Sequence, residues 1–324
     1  MNEIYYSIAA IIVGFTLLVW GADRFVHGAS ATARNLGVSP LIIGLTIVGF
    51  GTSAPEMLVS IMAAMEGNPG LAVGNALGSN ITNIALVLGV TALVCPLVVK
   101  SETLRREYPA MFAVMLLSLV LVMDGELSRK DGTILLCGLV LMLYWMVSLG
   151  LRKNRVDPMA SEYDQEIPHI SMPWAIFWLL IGLLILLASS RILVWGAINI
   201  ATAMGVSDLI IGLTVVAIGT SLPELAASVM SALKKEPDIA IGNVIGSNMF
   251  NLLAVLGLPG VIAPLTLDPA VLSRDFPIMI GLSIALFTMA YGFRTAGRIN
   301  RVEGGLLVTA YISYMIVLYF STQG

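Results

Sequence analysis

Charge is what this 324-residue sequence has least of: Asp, Glu, Lys and Arg together make up 11% of it, against about 25% in an ordinary soluble domain. Hydrophobic residues fill 58% and the mean hydropathy is +0.93, which excludes a soluble or disordered chain. Basic residues are not in surplus. The 17 Lys and Arg against 20 Asp and Glu leave a formal net charge of −3, so nucleic acid is excluded as a partner. Two cysteines (Cys95 and Cys137, both in apolar runs) and two histidines (His27 and His169) are too few for a disulfide framework or a soft-metal centre. Nothing resembles a Walker A loop, so direct use of ATP is not expected. The first apolar run, Ile4–Ala22, is long enough to span a bilayer and no cleavage-like site ends it, so no separate signal peptide is expected. The chain reads as a polytopic membrane protein whose partner is the lipid bilayer.

Ten segments reach the ~20 mostly apolar residues that a spanning helix needs. They run over about 4–34, 38–65, 71–99, 107–123, 132–151, 173–203, 206–233, 239–265, 275–292 and 302–321. The first and sixth are long enough to tilt or to end at the interface. The second, third, seventh and eighth carry Gly, Pro, Ser, Thr and Asn. Such backbone breaks survive in lipid only where protein or a wet cavity covers them, so these four are expected to face inward.

The sequence is duplicated. Residues 38–89 and 206–257 align without a gap, and 28 of the 52 positions are identical. The same 168-residue offset places Leu104-Arg105-Arg106-Glu107-Tyr108-Pro109 on Leu272-Ser273-Arg274-Asp275-Phe276-Pro277. Five spans per half is an odd number, so the second half enters the membrane upside down. With the N-terminus outside, 13 of the 17 Lys and Arg fall on the inner side, among them Arg24, Arg34, Arg152, Lys234 and Lys235. Only Arg129, Lys130, Arg191 and Arg274 fall outside, as the positive-inside rule favours. The expected fold is an all-α membrane protein of ten transmembrane helices, built as two inverted-topology five-helix repeats. Residues 1–151 form one repeat and 173–324 the other, with a cytoplasmic linker over 152–172 and both termini outside. Inverted repeats of this kind mark secondary transporters, with the site at the midplane. The acids of the linker, Asp157, Glu162, Asp164 and Glu166, do not have EF-hand spacing and read as a solvated connection.

Residues 41–65 hold one charge, Glu56, and residues 209–233 hold one, Glu224. A carboxylate near the bilayer centre costs about 2.5–3.5 kcal/mol on insertion scales and is functional by default. No Lys or Arg lies at comparable depth to neutralise either. Both acids stand in one frame, Gly51-Thr52-Ser53-Ala54-Pro55-Glu56 and Gly219-Thr220-Ser221-Leu222-Pro223-Glu224. Proline removes the hydrogen bond to the carbonyl four residues back, so Pro55 is expected to free the Gly51 carbonyl and Pro223 that of Gly219. Thr52 and Ser53 lie four and three residues before Glu56, on its helical face.

The third and eighth segments add Gly74-Asn75-Ala76-Leu77-Gly78-Ser79-Asn80-Ile81-Thr82-Asn83 and Gly242-Asn243-Val244-Ile245-Gly246-Ser247-Asn248-Met249-Phe250-Asn251. Ser79 and Asn83, like Ser247 and Asn251, share a face. The glycines four apart permit close helix packing, and Asn75 and Asn243 suit either interhelical hydrogen bonding or an ion. Oxygen donors, two of them anionic, describe a site for a hard cation. Ca²⁺ takes six to eight oxygens in a flexible shell, whereas Mg²⁺ demands octahedral geometry.

The paired G-T-S-x-P-E and G-N-x-x-G-S-N-x-x-N segments resemble the α-repeats of the calcium/cation antiporter superfamily, in the form of a compact prokaryotic sodium/calcium exchanger. The resemblance covers essentially the whole chain. It implies Na⁺-driven Ca²⁺ antiport at the cytoplasmic membrane by alternating access, in which the first and sixth helices slide past a stationary ion-binding bundle. It also implies that Glu56, Glu224, Thr52 and Thr220 bind Ca²⁺. Ser53, Ser221, Ser79 and Ser247 would help form the flanking Na⁺ sites, with Asn83 and Asn251 beside the central site. Many exchangers have an aspartate where this chain has Asn251, which argues against K⁺ dependence. The short linker leaves no room for the large regulatory domains of animal relatives.

No cofactor and no obligate protein partner are expected, only inorganic cations. H⁺ in place of Na⁺ is the nearest alternative, and a cation channel is the alternative from another class. An enzyme is not expected, because no nucleophile or catalytic His accompanies the two glutamates. His27 and His169 read as surface residues. Asp124, Glu126 and Asp131 read as an ordinary polar turn, and the Arg-Glu-Tyr-Pro and Arg-Asp-Phe-Pro stretches as helix starts.

Overall fold

The computed structural model describes residues 2–67, 69–99, 101–152, 170–204, 217–291 and 297–321. Two long helices, α1 (Asn2–Leu36) and, further on, α7 (Met172–Ala203), have 35 and 32 residues. At 1.5 Å per residue each exceeds the ~30 Å hydrocarbon core. Helix α1 stops in a Schellman motif: Gly37 takes φ +66°, its N–H reaches Arg34 O, and Val38 N–H reaches Ala33 O, both at 3.0 Å. Helices α2 (Leu41–Thr52) and α3 (Ala54–Met65) follow, bent by 42° at Ser53. Then come α4 (Pro69–Val94), α5 (Ser101–Val122) and α6 (Arg129–Arg152). After α7 the order is α8 (Ala217–Thr220), α9 (Leu222–Leu233), α10 (Pro237–Ile262), α11 (Val271–Ala290) and α12 (Arg301–Ser321).

The protein is a mostly helical membrane protein. Among the described residues seven helices are long and apolar enough to cross a membrane, or eight with α2 and α3 counted as one broken span. Residues 205–216, the first part of the seventh expected span, lie outside the described residues. So do residues 153–169 of the linker, with Asp157, Glu162, Asp164, Glu166 and His169.

The expectation that the polar helices face inward holds for α4 and α10. Within their apolar windows 72% and 100% of residues are buried, against 22–28% for the other five long helices. One core cluster surrounds them, with Leu77, Ile81, Met111, Phe250, Leu253 and Met279. A second joins α1 and α7 to α2 and α9 through Leu18, Phe25, Val48, Leu179 and Leu186. In lipid such contacts are held by van der Waals packing more than by water exclusion.

Several boundaries differ from the sequence expectation. The third span ends at Val94 rather than 99, because Cys95 turns extended (φ −140°) ahead of Pro96. Residues Leu97–Val99 then form strand β1. The fold is therefore not purely α. Strand β1 pairs antiparallel with β4 (Gly297–Ile299), and β2 (Glu126–Leu127) pairs with β3 (Leu265–Thr266), each ribbon tying one half of the chain to the other. The fourth helix starts at Ser101, so Pro109 lies in its interior and not in its first turn. Helix-start chemistry does appear in the other half. There a π-helical turn, Val271–Asp275, gives way to α-helix at Phe276 with Pro277 in its first turn. Asp124 and Asp131 accept backbone hydrogen bonds from Glu126 and Ser128 at 3.0 and 2.9 Å, the polar turn expected. His27 is half-buried on α1.

Candidate ion-binding site

Proline makes the site by breaking two helices. Thr52 ends α2, Ser53 leaves the helix at φ −82° and ψ 2°, and Pro55 and Glu56 occupy the first turn of α3. The second half repeats this, with Ser221 at φ −91° and ψ 4° and Pro223 and Glu224 in the first turn of α9. Each glutamate therefore stands at a helix N-terminus, whose free N–H groups favour a carboxylate. The break does not leave the two carbonyls expected to be freed alike, because Gly219 O accepts a hydrogen bond from Ser190 Oγ of α7 at 2.9 Å. At position 22, the offset equivalent of Ser190, the sequence has alanine.

Nine of the ten expected site residues are buried: Glu56, Glu224, Thr52, Ser53, Ser221, Ser79, Ser247, Asn83 and Asn251 are each 5% exposed or less. Thr220 is half-buried on α8. Bonds between the halves bring several together. Ser53 Oγ donates to Glu224 Oε1 at 3.3 Å. Thr52 Oγ1 lies 3.1 Å from Asn243 Oδ1 and 3.4 Å from Ser247 Oγ, and Ser247 Oγ donates to Gly49 O at 3.4 Å. Ser79 sits buried in α4.

Asn83 and Asn251 each open a π-helical turn, Asn83–Val87 and Asn251–Val255. Such bulges frequently mark functional sites. The sequence carries no evident signal for them.

Asn75 and Asn243 serve the interhelical role of the two left open by the sequence. Asn243 Nδ2 donates to Glu224 O at 3.2 Å and Ser228 Oγ at 2.9 Å, and Asn75 Nδ2 to Glu56 O at 3.0 Å and Ser60 Oγ at 3.2 Å. Ser60 and Ser228, four residues past each glutamate, were not singled out from the sequence, although the spacing repeats. Nor was Asn80, whose Oδ1 accepts Asn251 Nδ2 at 3.2 Å.

The oxygens left over define the chemistry. Both carboxylate oxygens of Glu56, together with Glu224 Oε2, Ser221 Oγ, Asn83 Oδ1 and Asn251 Oδ1, are buried without a hydrogen-bond partner among the described residues. Nearly all buried polar atoms in proteins are partnered, and an unpaired buried carboxylate is among the costliest exceptions. No Lys, Arg or His of the described residues pairs with either glutamate. Among the described residues there is thus no structural ion pair at the two glutamates, and a cation is the partner these oxygens suit.

Tight packing holds the donors in place on one side. Gly242 and Gly246 of α10 lie against α2 so closely that a Cβ on Gly246 would sit 2.4 Å from Leu45 O. For Gly74 and Gly78 the residues that the offset would set against them, 209–213, lie outside the described residues, so the expected close approach is described for the second pair alone.

Comparison with known proteins follows the same lines. The family described as sodium/calcium exchanger protein matches residues 6–148 and 174–320. CaxA of Alkalimonas amylolytica is 52% identical over 312 residues, covering 96% of this chain and 98% of that protein. Inner membrane protein YrbG of Escherichia coli (strain K12) is 44% identical over 315 residues, covering 96% of each. The solved structure of the sodium-calcium exchanger NCX_Mj soaked with Na⁺ and Sr²⁺ superposes with a TM-score of 0.82 at 31% identity, over 97% of this chain and 98% of that one.

Proposed function

The chain belongs to the sodium/calcium exchanger protein family, and from that premise we propose that it exchanges Ca²⁺ for Na⁺ across the cytoplasmic membrane by alternating access, expelling Ca²⁺. The observation that carries this reading is the set of buried oxygens without partners around Glu56 and Glu224. Two carboxylates neutralise one Ca²⁺, and the neutral oxygens of Thr52, Thr220, Asn83 and Asn251 can complete a shell of six to eight. Ser53, Ser221, Ser79 and Ser247 flank that centre and suit Na⁺. Two Na⁺ balance the same two carboxylates, so the site is neutral in both loaded forms.

In this reading the chain is ten spans in two inverted five-helix repeats, 1–151 and 173–324, joined by the linker 152–172. Both termini lie outside and the linker inside, as the distribution of Lys and Arg favours. The sequence duplication and the matching clamps of Asn75 on Glu56 and Asn243 on Glu224 support it. The relative YrbG of Escherichia coli is an inner membrane protein by name, which supports the inner-membrane location.

Radioactive Ca²⁺ uptake into Na⁺-loaded proteoliposomes tests the proposal. Uptake that requires internal Na⁺, and that Glu56→Gln and Glu224→Gln each abolish, is the expected result. Uptake driven by a pH gradient alone would move the protein to Ca²⁺/H⁺ exchange. Uptake with neither gradient would make it a channel.

A further inference from the structure

Away from the ion site, one ion pair ties α1 to the end of α9. Lys234 Nζ lies 2.8 Å from Asp23 Oδ1 and also donates to Asp23 O at 3.0 Å. Lys234 is the C-cap of α9 (φ −82°, ψ 8°), where the helix dipole favours a cation. Next to it Arg24 stacks on Trp178 of α7, 4.8 Å from the ring centre, and approaches Asp23 Oδ2 at 3.7 Å.

The duplication supplies a second pair. The 168-residue offset carries Asp23 onto Arg191 and Lys234 onto Glu66. Both signs reverse together, so the ability to pair survives although both residues changed. Glu66 occupies the same backbone position as Lys234, the C-cap of α3 at φ −83° and ψ 3°. An acid there opposes the helix dipole and calls for a cation nearby. Among the described residues, however, neither Glu66 nor Arg191 makes an ion pair, and both are exposed. Packing has the same asymmetry: α1 lies along α9, whereas α7 makes no comparable contact with α3.

Helices α1 and α7 move as one body if they move at all. They run antiparallel with backbones nearly touching. A Cβ on Gly28 would lie 2.3 Å from Leu179 N, and one on Gly182 2.4 Å from Phe25 N. A shift that frees Asp23 therefore carries Arg191 with it.

We propose that Asp23–Lys234 and Glu66–Arg191 are alternating gate latches: the α1–α7 pair is held at the inner face by the first and at the outer face by the second, never by both at once. The proposal rests on the inverted-repeat antiport reading above. The sidedness is that of Lys234 inside and Arg191 outside. The described conformation has the inner latch closed and the outer one open. Its image under exchange of the two halves has the reverse, which is what alternating access between two faces requires.

Cross-linking tests it independently of flux. In a Cys95→Ala/Cys137→Ala background, Asp23→Cys with Lys234→Cys and Glu66→Cys with Arg191→Cys are treated in membranes with a short reducible bifunctional thiol reagent. Each pair is expected to cross-link, a chain carrying all four substitutions to form one link or the other but not both, and reduction to restore exchange. In an otherwise intact chain carrying the outer cysteine pair, Lys234→Gln should raise the outer cross-link about two- to fivefold, the weight of one partly exposed ion pair. Asp23→Lys combined with Lys234→Asp should return the yield to its starting level, as misfolding would not. Failure of the outer pair to link in either Na⁺ or Ca²⁺, two links in one chain, or an outer yield indifferent to Lys234→Gln would each overturn the latches. The links report geometry alone. If Na⁺ proves not to drive Ca²⁺ uptake, alternating links still uphold the latches, and normal exchange without them sinks the latches only.

Discussion

Asn243 holds Glu224 by its main chain and not by its carboxylate: Nδ2 donates to Glu224 O at 3.2 Å and to Ser228 Oγ at 2.9 Å, while Oδ1 faces the Thr52 hydroxyl at 3.1 Å. One amide thus fixes where the first turn of α9 begins and joins it to the end of α2, while Glu224 Oε2 remains without a hydrogen-bond partner. Asn75 fixes Glu56 in the same way from α4.

Replacing Asn243 by leucine removes its hydrogen bonds to the Glu224 carbonyl and the Ser228 hydroxyl in a fully buried place, while the Thr52 hydroxyl keeps Val48 O at 3.1 Å. A buried acceptor left unmet costs about 1–3 kcal/mol. Asn243→Leu should therefore lower the melting temperature of the detergent-solubilised protein. It should also weaken Ca²⁺ binding although no carboxylate has been removed. A melting temperature equal to wild type would show that Asn243 is not a clamp.

The two glutamates should act in the opposite sense on stability. In ion-free protein a buried carboxylate without a cation is a burden, so Glu56→Gln should raise the melting temperature there. The same variant should lose the stabilisation that Ca²⁺ confers on wild type, about 2.7 kcal/mol at a hundred times the dissociation constant. Thermal shifts with and without Ca²⁺ check both halves of this expectation. A variant destabilised in the absence of ions would contradict it.

The packing of α10 on α2 should not tolerate an added methyl group. Gly246→Ala drives a Cβ into the Leu45 carbonyl oxygen, which backbone cannot easily yield. Overpacking of this kind costs about 1–3 kcal/mol and would push α10 away from α2. The variant should therefore melt below the wild type, and an unchanged melting temperature would show that the two helices do not meet this closely.

The duplication explains how much of this was legible in advance. Glu56 and Glu224, their prolines and the oxygen donors of α4 and α10 stand out because the same polar residues recur in apolar surroundings where each is costly alone. What two near-identical segments do not carry is the difference between them. Ser53 bonds Glu224 while Ser221 Oγ has no hydrogen-bond partner among the described residues, and Ser190 takes the Gly219 carbonyl where its counterpart is Ala22. Those choices follow from how the α1–α7 pair leans on the bundle, a long-range contact invisible to local pattern. The π-helical turns at Asn83 and Asn251 are likewise absent from it, and the strand at Leu97–Val99 depends on a partner about 200 residues away.

Asn251 sets the last expectation. Its Nδ2 donates to Asn80 Oδ1 at 3.2 Å, and its own Oδ1 has no hydrogen-bond partner among the described residues. Exchange by the wild type should be indifferent to replacing K⁺ with choline on both sides of the vesicle, because two carboxylates leave no charge for a further cation. Asn251→Asp removes the donor and sets a carboxylate oxygen against Asn80 Oδ1. Asn80 can relieve this by turning its amide over, giving up only an N–H contact to Met279 Sδ at 3.4 Å, a weak acceptor. The site then holds three negative charges, enough for one Ca²⁺ and one monovalent cation. Ca²⁺ uptake by Asn251→Asp should become sensitive to K⁺, and adding Asn80→Leu, which cannot turn a donor toward the new carboxylate, should remove that gain. K⁺ dependence in the wild type would show instead that the third charge comes from elsewhere in the site.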